Sequence, residues 1–469
     1  MKNPEKLIWI FSLFMVFLLG ACQDDEEVVA PVEDEVEEIQ DASENELLNN
    51  WIYEVMQGYY YWNDDVTRPN ATSTPEDYFY SLLVPDDQFS FITDDYEGLM
   101  NEFSGVYQTM GYSPSFGLLS SSNQVFIVVE YVYPGSPAEE AGLRRGDIIL
   151  EIDRQQLNTE NYYDLFIQSQ YTVTLGTYDG TDINLTDNTI SLTSEVIQAD
   201  PVLYSEVKTL EGTNVGYLVY TEFISGNNQE WLTSLTESLR NFQAANISEL
   251  IIDLRYNPGG EIDAAQYLAS AIAPSSAVTN EEVLVRYEYN DDLARAIRFT
   301  EGQDSENLIT TFSDIGINLN LSRVIFLTAQ GTASASELLI NGLEPYMDVV
   351  TVGESTVGKF YGSWVIPDVE EPARHTWAVA PVVLKYANAI GDTDFSDGLF
   401  PDYPVEDNLL AAAYSFGDEN DPVLQQALSL VFRETGARTV SPQKLVSPYN
   451  LLPNPLKERK SYYLDAILQ

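Results

Sequence analysis

Three hydroxyl side chains stand close together in the stretch GTASASE, just before an apolar run with helical spacing. They belong to Thr332, Ser334 and Ser336. A serine hydroxyl is a weak nucleophile until a neighbouring base takes its proton, so a catalytic role requires a partner. The same residue types also cap helices, because their oxygens accept free N–H groups of the first turn. The stretch therefore holds either a nucleophile or a helix cap.

The candidate bases are a histidine and a lysine. His375 is the only histidine of the chain, and no catalytic motif surrounds it. An exposed or structural imidazole is therefore favoured over a Ser-His-Asp triad. Lys359 follows a short predicted strand, 349–353, which itself comes after the helix begun at the serine cluster. The end of this strand would bring Gly358 and Lys359 back toward the start of that helix.

Lys359 can act as a general base only when its amine is neutral. The ordinary pKa of a lysine is about 10.4, and burial in an apolar environment lowers it. The net charge of −52 acts in the opposite direction, because a negative field stabilises the cation. We therefore expect local desolvation to dominate at Lys359.

Three motifs resemble the signature of the carboxyl-terminal processing (tail-specific) peptidases. They are DLRYNPGG at 253–260, SASE at 334–337 and GESTVGK at 353–359. Members of that family use a Ser-Lys pair, in which the first serine of the S-A-S-E motif is the nucleophile and the base follows 25 positions later. The resemblance thus implies Ser334 as the nucleophile and Lys359, which follows it by 25 positions, as the base.

The same resemblance implies further site residues. The family's oxyanion hole uses backbone amides after the serine and in the glycine turn, which here are Ala335 and Gly259 or Gly260. The free N–H groups of a helix N-terminus also stabilise an anion. Ser363 occupies the position at which many members carry a glutamine that orients the lysine, so its hydroxyl would have to take over that role. The stretch GLFPD at 398–402 resembles a late element of the family.

The stretch PGSPAEEAGLRRGDII at 134–149 resembles a PDZ domain of the bacterial protease type. Such domains bind a peptide as an additional strand and hold its terminal carboxylate on backbone N–H groups. The resemblance places this carboxylate loop at Phe116, Gly117 and Leu118. The expected partners are protein or peptide substrates with free C-termini. A PDZ-like fold that binds nothing is the alternative.

The first 22 residues have the features of an export signal. Lys2 and Lys6 precede a mostly apolar run, 7–19, which is too short for a membrane span of about 20 residues. The tetrapeptide LGAC that ends at Cys22 resembles the lipobox of bacterial lipoproteins, which implies lipidation of Cys22; an ordinary secretory peptide is the alternative. The acids that follow resemble the surface-export signal of Bacteroidetes lipoproteins. We expect an exported bacterial lipoprotein, periplasmic or at the cell surface, anchored to the outer membrane through its lipid.

The chain is predicted to be a multidomain α/β protein. Alternating strands and helices from about residue 212 indicate βαβ units. The resemblance implies a crotonase/ClpP-like αβ catalytic core, preceded by a PDZ domain and a small N-terminal helical domain. The predicted segments are a lipoprotein signal peptide at 1–22, an acidic disordered tether at 23–45, an N-terminal helical domain at 46–105, the PDZ domain at 106–200, the peptidase catalytic domain at 201–440 and a C-terminal tail at 441–469.

Charge and residue counts argue against several functions. The 74 acidic and 22 basic residues would repel phosphates, so no nucleic acid partner is expected. One histidine and one predicted lipidated cysteine cannot build a zinc site, and no phosphate-binding Gly-Lys-Ser/Thr motif is present. No cofactor or metal is therefore expected, and the oligomeric state stays open.

The predicted function is that of a serine endopeptidase that forms an acyl-enzyme at Ser334. The alternative is an inactive, lipid-anchored PDZ protein that binds tails on a peptidase scaffold.

Overall fold

The computed structural model describes residues 44–370, 372–432 and 447–455. The predicted signal peptide, the lipidation site Cys22 and nearly all of the predicted tether lie outside these residues. Among the residues that are described, no helix is both long enough and apolar enough to cross a membrane.

The helices lie mainly in the N-terminal part and in the region predicted as catalytic. In chain order they are α1 Glu44–Tyr59, α2 Pro75–Tyr80, α3 Tyr96–Phe103, α4 Pro137–Glu140, α5 Tyr162–Phe166, α6 Glu230–Ala244, α7 Ile262–Ile272, α8 Ser275–Thr279, α9 Asp291–Thr300, α10 Ala335–Leu343 and α11 Pro422–Leu430, with a short 3-10 helix at Asn63–Asp65.

The strands are mostly short. In chain order they are β1 Phe91–Thr93, β2 Val106–Thr109, β3 Tyr112–Leu119, β4 Val125–Val132, β5 Ile148–Ile152, β6 Gln155–Gln156, β7 Gln170–Tyr178, β8 Ile183–Thr193, β9 Glu195–Gln198, β10 Val202–Leu210, β11 Thr213–Tyr220, β12 Glu249–Asp253, β13 Val283–Tyr289, β14 Ile309–Thr311, β15 Arg323–Thr328, β16 Asp348–Gly353, β17 Tyr361–Ser363, β18 Ile366–Pro367, β19 Ala378–Ala380, β20 Val382–Asn388, β21 Tyr403–Pro404 and β22 Tyr449–Leu451.

A six-stranded sheet forms the centre of the catalytic region, in the order β10-β11-β12-β15-β16-β21. Its strands from β11 to β21 are parallel, and only β10 runs antiparallel at one edge. Successive residues of these strands point into two different hydrophobic cores, and helices contribute to the core on each face of the sheet. Burial on both faces explains why these strands read as continuous apolar runs. Apolar runs at 215–220, 324–327 and 349–353 in the sequence predict strands, and the structure confirms all three.

The topology of this sheet brings the three motifs to one edge. β12, β15 and β16 are adjacent and parallel. The glycine turn follows β12, the serine stretch follows β15 and the lysine stretch follows β16. Because the carboxyl ends of parallel strands meet at the same edge, motifs that are far apart in sequence become neighbours there.

The N-terminal helices pack on the catalytic region. Ile52, Met56 and Tyr60 are fully buried in the same core as α6, α7 and α10. The strand β1 also pairs with β19 of the catalytic region. The predicted N-terminal domain, 46–105, therefore shares one hydrophobic core with the predicted catalytic domain, 201–440. The stretch Thr74-Pro75-Glu76 predicts a helix start from its cap, proline and acid. The structure confirms it, since the Thr74 hydroxyl accepts the N–H of Asp77.

The region predicted as a PDZ domain has its own sheet and its own core. The sheet has the order β22-β3-β4-β5-β7-β8, with β6 paired to β5. Its core is made mainly by β3, β4, β5 and β7, and includes Ile127, Ile149 and Val173. The strand β22, from the predicted C-terminal tail, closes one edge of this sheet by pairing with β3.

The prediction that Phe116, Gly117 and Leu118 form a carboxylate loop is wrong. These residues lie in the middle of β3, paired with β4 on one side and β22 on the other. Phe116 is buried in the PDZ core. A Cβ on Gly117 would lie 2.2 Å from the ring of Phe126. The glycine is therefore explained by close packing against that ring.

Candidate active site

Ser334 stands where the chain passes from β15 into α10. It immediately precedes the first helical residue, and its φ of 55° and ψ of −115° are costly for a residue with a side chain. The side chain is fully buried, and its Oγ has no hydrogen-bond partner among the described residues. The hydroxyl therefore does not cap the helix. By contrast, the hydroxyl of Ser336 donates to the carbonyl of Asn257 at 3.1 Å.

Lys359 lies six residues after the end of β16 and is fully buried. Burial lowers its pKa well below the ordinary lysine value, whereas the charges of Asp87 and Glu337 act to raise it. Its Nζ lies 5.4 Å from the centre of the Phe89 ring. The predicted dominance of local desolvation over the protein's negative charge agrees with this environment.

A single carboxylate joins the serine and lysine stretches. One oxygen of Glu337 accepts the backbone N–H groups of Ser334 and Lys359, both at 2.8 Å. The other accepts the N–H of Gly358 at 2.6 Å and the hydroxyl of Thr356. Burial raises the pKa of Glu337, and these four hydrogen bonds oppose that rise. The backbones on either side of the site are thus held by one buried side chain.

Tyr386 makes a second link between the same two stretches. Its hydroxyl lies 3.1 Å from the carbonyl oxygen of Ser334 and 2.7 Å from that of Lys359. The ring is buried, and burial is the main cause that raises the pKa of its hydroxyl well above the ordinary value. The hydroxyl therefore stays protonated as a donor. Neither Glu337 nor Tyr386 was assigned a role from the sequence.

Of the predicted oxyanion-hole residues, Gly259 lies directly against the serine. A Cβ on Gly259, whose φ is +111°, would lie 2.7 Å from the Cβ of Ser334 and 2.9 Å from the amide nitrogen of Ala335. Ala335 is the first residue of α10, so its N–H has no partner within the helix. The Gly259 N–H, however, donates to the side-chain oxygen of Asn257 at 2.9 Å.

Gly260 has a different neighbour. A Cβ there would lie 2.1 Å from the carbonyl oxygen of Phe223. The two residues form an isolated parallel bridge, whose hydrogen bonds use the Gly259 carbonyl and the Glu261 N–H. The bridge does not use the N–H of Gly260. Of the two glycines, Gly260 therefore has the backbone N–H that none of these hydrogen bonds uses. Gly259 is the glycine that lies against Ser334.

Ser363 is buried at the end of β17, and its Oγ has no hydrogen-bond partner among the described residues. The hydrogen bond to Lys359 expected for a residue in the glutamine position is therefore not made.

His375 packs its ring edge-on against Trp51 at 4.5 Å, and neither of its ring nitrogens has a hydrogen-bond partner in the described part of the chain. It makes no hydrogen bond to Ser334, in agreement with a structural imidazole.

The surroundings of Lys359 come partly from the N-terminal region, which sequence analysis did not connect with the site. Asp87 accepts hydrogen bonds from the backbone N–H groups of Phe89 and Ser90 and from the hydroxyls of Tyr60 and Ser90. These bonds fix the turn that carries Phe89 to the amine. The turn-forming stretch PDDQFS at 85–90 was a visible local signal, but nothing in it indicates contact with a residue about 270 positions away.

A buried hydroxyl without a partner and a buried amine with a lowered pKa are poor for stability, but they suit nucleophilic catalysis. On this αβ fold, they indicate a serine hydrolase. Comparison with known families agrees. Residues 214–405 match peptidase family S41, residues 48–91 match the peptidase S41 N-terminal domain, and residues 128–175 match a PDZ domain. The chain belongs to peptidase family S41 and is a serine peptidase.

Individual relatives support the same assignment. The chain is 27% identical over 345 residues to a carboxyl-terminal-processing protease of Picosynechococcus sp., covering 71% of this chain and 74% of the relative. It is 25% identical over 364 residues to the chloroplastic carboxyl-terminal-processing peptidase 2 of Arabidopsis thaliana, covering 74% of this chain and 64% of the relative. A protein of Bacteroides fragilis assigned to the S41 proteases has a similar crystal structure, with a TM-score of 0.67, 28% identity and coverage of 81% of this chain and 96% of the other.

Proposed function

We propose that this protein is a Ser-Lys endopeptidase in which Ser334 is the nucleophile and Lys359 the general base. The observation that carries the proposal is the shared anchoring of the two residues. The Glu337 carboxylate binds both backbones, the serine hydroxyl has no hydrogen-bond partner within the described part of the chain, and burial lowers the pKa of the lysine amine. These are the properties that a serine and its base need before substrate arrives.

The proposed reaction proceeds through an acyl-enzyme. The neutral Nζ of Lys359 takes the proton of the Ser334 hydroxyl as its oxygen attacks the carbonyl carbon of the scissile peptide bond. The N–H of Ala335 and an amide of the glycine turn stabilise the negative oxygen of the tetrahedral intermediate. The protonated lysine then donates its proton to the leaving amine. A water molecule, activated by the same lysine, hydrolyses the ester and restores the serine.

The proposed substrates are exported proteins or peptides whose C-termini are captured by the PDZ domain. Two relatives of this chain are named as carboxyl-terminal-processing enzymes. The matched PDZ segment contacts the catalytic region through Arg145, whose guanidinium lies 3.7 Å from the carboxylate of Asp407. The proposed location is an outer-membrane lipoprotein attached through Cys22. A Cys22→Ala variant should lose incorporation of a labelled fatty acid; full incorporation by this variant would refute lipidation at that residue.

The test of the dyad compares the soluble protein from residue 44 with its Ser334→Ala and Lys359→Ala variants. The substrate is an unstructured protein that ends in apolar residues, and the products are read by mass spectrometry. Both variants should lose cleavage, and a fluorophosphonate should label the parent at Ser334. The matched control is Ser336→Ala, two residues away, which loses one hydrogen bond to Asn257 and should keep most of its activity.

Two outcomes would contradict the proposal. If the parent binds the tail and never cleaves it, even at alkaline pH where more of the lysine is neutral, the protein is a binding protein on a peptidase scaffold. If Ser336→Ala abolishes cleavage and Ser334→Ala does not, the nucleophile is assigned to the wrong serine.

A further inference from the structure

Residues 447–455, called the edge segment below, lie along the outer edge of the PDZ strand β3. Tyr449, Asn450 and Leu451 pair antiparallel with Leu119, Leu118 and Gly117. The pairing is extended by two further backbone bonds, from Ser120 to the carbonyl of Pro448 and from Leu452 to the carbonyl of Phe116, both at 2.9 Å. The segment thus adds a strand to the PDZ sheet, which is the way these domains bind peptides.

The side chains of the edge segment are also bound. Leu452 packs against the PDZ core together with Tyr162 and Phe166 of α5. The Tyr162 hydroxyl donates to the carbonyl of Pro453 at 3.0 Å, and the Asn454 amide donates to the carbonyl of Pro114 at 3.0 Å. The segment is therefore held between strand β3 and helix α5. The partly buried Leu452 packs against the core, backbone bonds join the segment to β3, and the Tyr162 hydroxyl of α5 bonds the carbonyl of Pro453.

The edge segment ends at a cavity that leads to the catalytic region. Asn454 and Pro114 line a cavity of about 300 Å³, which continues past Tyr171 to Tyr256 and Pro258 of the glycine turn. An extended peptide bound in place of the edge segment would therefore run toward this cavity, which residues of the catalytic region also line.

We propose that the edge segment is an intramolecular ligand of the PDZ domain, and that an extended peptide with an apolar residue at the position of Leu452 must displace it to bind. The inference rests on the proposed capture of substrate tails by this domain. A tethered ligand has an effective concentration on the order of millimolar. The apparent Kd for a free peptide is therefore the intrinsic Kd divided by the fraction of molecules in which the edge of β3 is open.

The test measures peptide binding without cleavage. A fluorescent peptide with the sequence of residues 447–455, SPYNLLPNP, is titrated into the full chain carrying Ser334→Ala, and binding is read by anisotropy. Leu452→Asp places a charge against the PDZ core and should release the segment, so the peptide should bind about 10- to 100-fold more tightly. Asn454→Ala removes one side-chain bond and should change the affinity in the same direction by a smaller factor.

The control is Leu185→Asp, which makes the same substitution at a leucine that is 51% exposed on β8, at the opposite edge of the same sheet. It should bind the peptide like the parent. Circular dichroism shows whether each variant is folded. If Leu452→Asp does not fold, the affinity of Asn454→Ala is compared with that of the parent. Equal affinities in the parent and the folded edge-segment variants would overturn the proposal, as would absence of binding to all of them. Because anisotropy reads binding and not cleavage, neither result depends on whether the dyad is correct.

Discussion

The carboxylate of Glu337 accepts the backbone N–H of Lys359 at 2.8 Å, although the two residues are 22 positions apart. It accepts the N–H of Ser334 at the same distance. The acid of the S-A-S-E motif therefore determines where the proposed base lies relative to the proposed nucleophile. In the proposed mechanism, Glu337 acts on the reaction through these two residues and is a positioning residue.

Replacing Glu337 by glutamine should lower kcat about 100-fold with little change in KM, since small displacements of catalytic groups have effects of this size. The amide has one oxygen where the carboxylate has two, so two of the four donors would face an NH₂ group. Steady-state kinetics and the rate of fluorophosphonate labelling measure the effect. The control is Glu344→Gln at the exposed end of the same helix. A folded Glu337→Gln enzyme with unchanged kcat would rule out this role.

The kcat/KM of the enzyme should rise with pH as Lys359 loses its proton. Because burial lowers the pKa of Lys359, this rise should occur below pH 10.5. The charge of Asp87 raises that pKa, so Asp87→Asn should move the rise to lower pH. Asp86→Asn, at an exposed neighbour, is the control and should leave the profile unchanged. A shift to higher pH in Asp87→Asn, or equal shifts in both variants, would contradict the assignment.

Replacing Lys359 by methionine should abolish activity and stabilise the fold at neutral pH. Between the lowered pKa of the folded state and about 10.4, the unfolded chain holds a proton that the folded chain lacks. Folding stability therefore increases with pH in this window, by about 1.4 kcal/mol per pH unit for one group. Methionine removes this dependence, so its stabilising effect should be largest at low pH and vanish near pH 10.5.

Denaturant unfolding at several pH values measures this effect. The matched variant is Lys385→Met, which removes a lysine whose Nζ pairs with Asp394 at 2.7 Å and should not stabilise the protein. If Lys359→Met is no more stable than the parent at pH 7, the amine is not the desolvated group described above.

Ser363→Ala should keep turnover within about twofold of the parent. The Ser363 Oγ is buried and has no partner among the residues that the structure describes. Removal of an unsatisfied buried hydroxyl is neutral or stabilising by about 1 kcal/mol. Thermal unfolding and kcat measured on the same preparation check both parts. A large loss of kcat together with a displaced pH profile would instead show that Ser363 orients Lys359 during the reaction.

Gly259→Ala should lower kcat by at least about 100-fold, because its Cβ would lie 2.7 Å from the Cβ of Ser334. Gly302→Ala is a matched control. Its φ of +100° is similar, but nothing lies within 4 Å of the added atom. It should cost only the backbone strain, about 1 to 2 kcal/mol of stability. Equal activities of the two variants would show that the contact with Ser334 is unimportant.

The sequence by itself determined the elements that are encoded locally. Apolar runs bounded by turn residues predicted the parallel strands, and Thr74-Pro75 predicted a helix start. The resemblance of the motifs to those of the peptidase family implied Ser334 and Lys359. The structure places both residues after strands whose carboxyl ends meet at the same edge of a parallel sheet.

Only the tertiary structure decided which distant groups surround that pair. The Glu337 bonds, the approach of Phe89 to the lysine and the pairing of residues 449–451 with β3 all join positions far apart in the chain. The glycine at 117 illustrates the limit. From its sequence context it resembled part of a ligand-binding loop, whereas its packing against Phe126 in a strand explains it. Local patterns encode elements through propensity and spacing, but contacts between elements depend on how their faces pack together.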